Sequence, residues 1–146
     1  MFCEPRKSKR KIIHRRGFPD GNLKIGYAWE PITYKPPRPL ANQIEQLKDC
    51  HKIFHDNSKL GSKSPRPEYY KMFKFLREGD TLVVTRLDCL ESSLEDLIDT
   101  VCSIYINKIH LQVLYYNIDT TTDTDGNIFN VFDALMGFME TSGDRN

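Results

Sequence analysis

The side chains with the clearest chemical potential fall into a few small groups. Cys50, His51 and His55 offer thiolate and imidazole, the donors that zinc prefers. They straddle an expected helix end and the strand after it, and ordinary packing accounts for them better. Asp119, Asp123 and Asp125 before Gly126 resemble part of a calcium loop, but no Glu follows at the spacing a bidentate ligand requires. No metal or cofactor is therefore expected. Trp29 is the only tryptophan, and in a strand it is expected to pack rather than stack on a base. The last group is a run of cations. Arg6, Lys7, Lys9, Arg10, Lys11, Arg15 and Arg16 face the single acid Glu4, a charge of +6 that leaves the remaining residues at −5 within the overall +1. Such a tail can bind nucleic acid by releasing counterions, or can be a solvated extension. The acidic body is a poor polyanion-binding surface.

The elements that must position these groups form one domain. A chain of 146 residues is long enough to close a single core, and 39% apolar with 28% charged residues fits a soluble globular protein. No apolar run reaches the roughly 20 residues that span a bilayer, and no apolar segment follows the basic N-terminus as in a secretory leader. A cytoplasmic protein is expected, with no membrane partner. Cys3, Cys50, Cys89 and Cys102 are widely spaced without a CxxC pair, which favours reduced thiols.

Pro19-Asp20-Gly21-Asn22 is a turn that separates a basic, disordered tail (1–22) from a domain over 23–142. Leu23–Trp29 reads as a first strand, followed by a loop rich in proline. Leu40, Ile44 and Leu47 recur at helical spacing through about Cys50, and Lys52–Phe54 is a short second strand. Asp56–Arg66 is expected to be a polar loop. Pro67 opens a helix carrying Tyr70, Met72, Phe73, Phe75 and Leu76, ended by Gly79-Asp80. Thr81–Leu87 is the strongest strand. Ser92 or Ser93 opens a helix whose core face is Leu94, Leu97, Ile98, Val101 and Ile104/Tyr105. Ile109–Tyr115 is a fourth strand, and after a Thr/Asp loop a last helix bears Ile128, Val131, Phe132, Leu135 and Phe138. This alternation predicts an α/β fold with a mainly parallel central sheet flanked by helices.

The segment Leu76–Leu97, LREGDTLVVTRLDCLESSLEDL, resembles the signature of the serine recombinases (resolvases and DNA invertases), which reads LREGDTLVV, two residues, then LDRLGRSLxDL. Ile25-Gly26-Tyr27-Ala28 is similar to the family's opening IGYAR, and Gln43–Leu47 to its first helix. Ile53-Phe54, Gly61 and Arg66-Pro67 resemble IF…SG…RPG, and Ile118–Thr122 with Gly126 resembles IDTTT…G. Phe132, Ala134, Leu135 and Phe138 match the start of the family's long helix. The likeness covers roughly residues 23–140 and implies a resolvase-like catalytic domain acting on DNA. In that family a serine hydroxyl attacks a phosphodiester, and arginines hold the phosphate while negative charge builds on its oxygens.

Against the family's Tyr-Ala-Arg-Val-Ser-Thr this chain has Tyr27-Ala28-Trp29-Glu30-Pro31-Ile32. Trp29 therefore stands at an arginine position and Pro31 at the nucleophile. In LDRLGRS the two arginines become Cys89 and Ser92, and the glycine becomes Glu91. Tyr27, Arg66 and Asp88 are retained. The loop from Tyr27 to Gln43 is longer than the family's by about three residues, which lets Thr33 sit near the vacated position. Ser58, Ser62 and Ser64 have no nucleophilic role in the resemblance. Asp88 is either a residual acid/base group or, more simply, a cap for the next helix. The chain closes at Glu140–Asn146, where the family's helix continues into a helix-turn-helix domain, so a truncated domain is expected.

These features imply a degenerate recombinase domain that has lost strand exchange, either a remnant or a modulator of an intact serine recombinase, with self-association as a further option. The alternatives are a conditionally active subunit using Thr33, and a nucleic-acid-binding accessory protein acting through its tail. Any DNA binding is expected to be weak and non-specific. Seven tail cations would give a log K against log salt slope no steeper than about −6 on duplex DNA. Titration at two salt concentrations, with and without residues 1–16, measures it.

Overall fold

The first strand explains most of the architecture, because its two faces are chemically different. In the computed structural model, which describes residues 15–19, 21–31, 39–58, 65–122, 128–129, 131–132, 134–135 and 137, β1 is Lys24–Pro31. Ile25, Tyr27 and Trp29 point into the larger core, while Ala28 faces the smaller one. Gly26 shares that second face, and a Cβ there would lie 3.2 Å from Cys50 Sγ and 3.3 Å from Leu47. Large side chains on one face and minimal ones on the other let a helix approach the sheet closely on the small side.

That helix is α1 (Leu40–Gln46), packed with Leu47 and Ile44 over Ala28 and Val83. Then come β2 (Lys52–Ser58), α2 (Pro67–Phe75), β3 (Thr81–Val84), a single 3-10 turn (Leu87–Cys89), α3 (Leu94–Ile106), β4 (His110–Val113) and β5 (Ile118–Asp119). The sheet order is β2-β1-β3-β4-β5, parallel except for the antiparallel β4–β5 edge. Met72 and Leu76 from the α2 segment and Ile98, Val101 and Ile104 from α3 meet Leu82, Val84, Leu111 and Val113 on the larger face. The expected α/β fold with a mainly parallel sheet is the fold observed.

Several boundaries differ from the sequence expectation. β2 continues to Ser58 along the whole of β1, so Asp56 lies in a strand and is buried rather than in a polar loop. β3 stops at Val84, and Leu87–Cys89 turns instead of extending. Leu94 and Tyr105 on α3 are more than half exposed, so the core face of that helix is narrower than its periodicity suggested. In the last segment Phe132 is buried, but Val131 and Leu135 are exposed; Phe138 lies outside the described residues. The expectation of reduced thiols is corrected at Cys102, which is disulfide-bonded, whereas Cys50 and Cys89 are free. A bridge depends on two Cα atoms lying within about 7 Å in the fold, which spacing in the sequence does not reveal. Among the described residues no helix is long and apolar enough to cross a membrane.

The tail is also not wholly detached. Arg15 forms a salt bridge with Asp80, with side chains 7% and 1% exposed, and donates to the carbonyls of Phe75 and Gly21. Asp80 further accepts from the Leu23 N–H at 3.0 Å and the Arg77 N–H at 2.9 Å. One carboxylate thus joins the tail, the start of β1 and the turn before β3. Arg15 is therefore removed from the cations available to DNA, because its charge is already neutralised. Gly79 next to it has φ +90°, and a Cβ would fall 2.4 Å from Asn22 Oδ1. Asp80→Ala leaves Arg15 without its anion and two backbone donors unpaired, and a loss of about 3 kcal/mol is expected in urea unfolding. Removing residues 1–14 should cost far less than removing 1–16.

Candidate functional site

Strand order reverses between β1 and β3, since the chain leaves β1 for β2 over one face and returns to β3 over the other. Open α/β sheets take ligands at such a switch point, beyond the carboxyl ends of the strands. Here that edge is built from Trp29–Pro31, the segment Thr85–Glu91 and Arg66 at the entrance to α2.

Arg66 is its centre. The guanidinium carbon lies 4.1 Å from the Trp29 ring centroid and 3.9 Å from that of Tyr69. Nη1 donates to the Leu90 carbonyl at 2.7 Å, and Nη2 to Glu91 Oε1 at 2.8 Å. The Arg66 and Glu91 side chains are 13% and 8% exposed. The other Glu91 oxygen accepts from Thr100 Oγ1 at 2.7 Å and from the Tyr69 hydroxyl. Burial works against the Arg66 charge, but Tyr27, Glu91 and Tyr69 outweigh it and raise its pKa. Burial, joined by Glu91, likewise raises the Tyr69 pKa, so its phenol stays protonated and donates. The result is a cation with aromatic rings beside it and its own carboxylate.

A second carboxylate anchors the neighbouring layer. Asp56 on β2 accepts from the Tyr27 hydroxyl at 2.8 Å and from the Glu68 and Tyr69 N–H groups at 3.1 and 2.9 Å. It thereby satisfies the first turn of α2 from outside that helix. Burial raises the Tyr27 pKa, so Tyr27 is a neutral donor here. On the other face the Gln43 side chain brackets the β1 backbone, accepting from Trp29 N–H at 3.0 Å and donating to its carbonyl at 2.9 Å. Glu30 accepts from the Leu40 N–H at the start of α1.

The remaining site residues are dispersed. Cys89 is fully buried and accepts a contact from Thr85 Oγ1 at 3.5 Å, while Ser92 is exposed. Asp88 lies 3.5 Å from Arg86 Nε; the cap of α3 is Ser93, whose Oγ accepts from Asp96 N–H at 3.1 Å. The expectation that Asp88 caps the helix is corrected, because the 3-10 turn holds it too far upstream. The Pro31 backbone pairs with Ser58 at the end of β1. Thr33, Ser62, Ser64 and tail residues 6–11 lie outside the described residues. Arg16 is exposed. His51 Nδ1 accepts from Lys24 N–H at 2.9 Å, and burial pushes the Cys50 thiol up to about 11.

A family described as "Resolvase, N terminal domain" matches residues 35–142. The chain belongs to the resolvase family. The chain is 42% identical over 118 residues to the Transposon Tn552 resolvase of Staphylococcus aureus, covering 80% of this chain and 59% of that protein. It is 37% identical over 113 residues to the DNA-invertase of Escherichia phage P1, covering 77% and 60%. It therefore spans about 60% of the length of these relatives. The fold is shared with the N-terminal catalytic domain of TP901-1 integrase, at TM-score 0.62 and 20% identity over 81% of this chain and 97% of that one. The family match begins after β1, so Trp29 and Pro31 lie in front of it.

Sequence reasoning noticed Glu91 only as a replaced glycine and did not foresee Tyr69, Thr100 or Asp56 around it. The available signal was an acid in an otherwise apolar turn, Cys89-Leu90-Glu91, which demands a buried cation nearby. Glu91→Gln should leave Arg66 without its anion and cost about 3 kcal/mol. Sulfate is then expected to raise the melting temperature of Glu91→Gln more than that of the wild type. The extra rise should vanish in Glu91→Gln/Arg66→Gln.

Proposed function

We propose that this resolvase-family domain takes part in DNA recombination without cleaving DNA, as a remnant or as a modulator of an intact serine recombinase through a shared subunit interface. Its setting is the cytoplasm, with DNA and a recombinase subunit as partners. The observation that carries this reading is the Arg66–Glu91 ion pair. Phosphoryl transfer needs positive charge free to meet the equatorial oxygens. The one retained arginine of the family set instead spends its charge on a carboxylate within the domain. Trp29 packs against that arginine where the resemblance has a second guanidinium, and Cys89 is buried where it has a third. Pro31, at the resembling nucleophile position, has no hydroxyl. Losing one member of a nucleophilic unit costs on the order of a millionfold in a comparable enzyme, so these replacements together leave no useful rate.

The tail contributes weak, sequence-independent attraction in this reading. With Arg15 committed to Asp80, six tail cations remain, and the salt slope on duplex DNA becomes no steeper than about −5.

The decisive experiment incubates the purified chain with supercoiled plasmid carrying a recombination site from its host. Neither nicks nor a denaturation-resistant protein–DNA adduct are expected, and Pro31→Ser alone should not produce them. An adduct with the wild type would overturn the proposal, and its loss in Thr33→Ala would identify the nucleophile. Co-purification of an intact recombinase with the tagged chain separates modulator from remnant.

A further inference from the structure

A cavity of about 190 Å³ opens at the switch-point edge, on the face of the sheet that carries α1. Pro39, Asn42 and Gln46 of the α1 segment form one side, and Thr85, Arg86 and Tyr115 form the other. Among the described residues no Asp or Glu lines it, and Arg86 is the one charged side chain of that lining. The Arg86 guanidinium is held flat against the protein, 4.0 Å from the Tyr115 ring centroid, and donates to the Tyr116 hydroxyl at 3.4 Å. Its Nε is buried and makes no hydrogen bond, and its ion pair with Asp88 is long at 3.5 Å. Tyr115 and Tyr116 are 66% and 49% exposed and meet edge to face. Neither tyrosine belongs to the hydrophobic core; Arg86 covers one face of the Tyr115 ring, and the rest of that ring is exposed at the cavity.

We infer that this cavity is a nucleotide-binding site, which takes one unstacked base against Tyr115 and its phosphate at Arg86. Each part of the ligand follows from a part of the wall. An exposed phenol ring offers a stacking platform to any base, and an arginine beside it adds charge for the phosphate. The Asn42 and Gln46 amides each present donor and acceptor to a heteroatom edge. Gln43, the third amide, is already fixed to the Trp29 backbone and forms a rigid floor. The volume lies below the ~300–1,000 Å³ of sites for drug-sized ligands, on the scale of one ring system. The site uses none of the Arg66 cluster, so it holds whether or not the domain cleaves DNA.

The test uses the full chain at about 0.3 M salt, where tail–phosphate attraction is weak. Binding of a dye-labelled oligothymidylate is followed by anisotropy, with thymidine monophosphate and inorganic phosphate as competitors. Tyr115→Ala and Arg86→Gln should each weaken binding about tenfold, the scale of one lost base stack. Tyr70→Ala, an equally exposed tyrosine on α2, should leave it unchanged. Thymidine monophosphate is expected to shift the Tyr115 ring resonances of the wild-type protein, a readout independent of any variant. Competition by the mononucleotide identifies a free nucleotide as sufficient, and tyrosine-dependent binding of the oligomer alone identifies a strand. Absence of binding, indifference to both variants, or displacement by phosphate as effective as by the nucleotide overturns the inference.

Discussion

Arg66 brings a permanent positive charge into a position that is 13% exposed, and a buried guanidinium is tolerated only beside a hydrogen-bonded anion. Glu91 is that anion, and the requirement propagates through the domain. Glu91 reaches Arg66 only if the chain turns at Leu87–Cys89 rather than continuing as strand. Its second oxygen is held by Thr100 on α3 and Tyr69 on α2, so both helices are fixed to the same carboxylate. Trp29 on β1 completes the contact from the sheet. Four elements meet at one ion pair, and each would have to adjust if the charge were removed.

The sheet makes this meeting geometrically available. β1 is flanked by β2 and β3, so its carboxyl end is reached both by the segment entering α2 and by the turn leaving β3. The alternation along β1 sends Tyr27 and Trp29 to the same face, where Asp56 and Arg66 respectively engage them. On the opposite face Gly26 and Ala28 admit α1, and Gln43 clamps the Trp29 backbone. The strand end is therefore pinned on both faces. A rigid platform of this kind positions side chains whether they act on a ligand or on one another.

Fold and family were legible because they rest on local patterns. The apolar run Thr81–Val84 and the spacing of Ile98, Val101 and Ile104 required only nearest neighbours to interpret. At the site, only residue types at motif positions were legible. Its long-range contacts were not, because they join residues far apart in the chain: Glu91 with Arg66, Asp56 with the start of α2, and Arg15 with Asp80. Asp56 was read as part of a polar loop, Arg15 as a tail cation and Glu91 only as a replaced glycine, and each is a charge whose partner lies at least 12 residues away. Periodicity also overstated the core at Leu94 and Tyr105, since a hydrophobic position on a helix near the edge of its packed face need not meet a neighbour.

The replacements at Trp29 and Glu91 are best understood as a pair. Arginine at position 29, as the family resemblance has it, would set a second guanidinium near Arg66, and two like charges there require an external anion to relieve them. An aromatic ring removes the repulsion and supplies an attractive face instead. Glycine at position 91 would leave Arg66 with no carboxylate; glutamate supplies one from within. Neither change alone gives a neutral, hydrogen-bonded cluster, and both together do. Trp29→Arg and Glu91→Gly should therefore be strongly non-additive in stability, with the double variant binding oxyanions that neither the wild type nor Trp29→Arg retains. Ser92 differs in this respect, for its exposed side chain has no contact that explains its presence. Under the proposed function, the cluster around Arg66 is an interior in which Glu91 and the two aromatic rings occupy the guanidinium that a phosphate would otherwise engage.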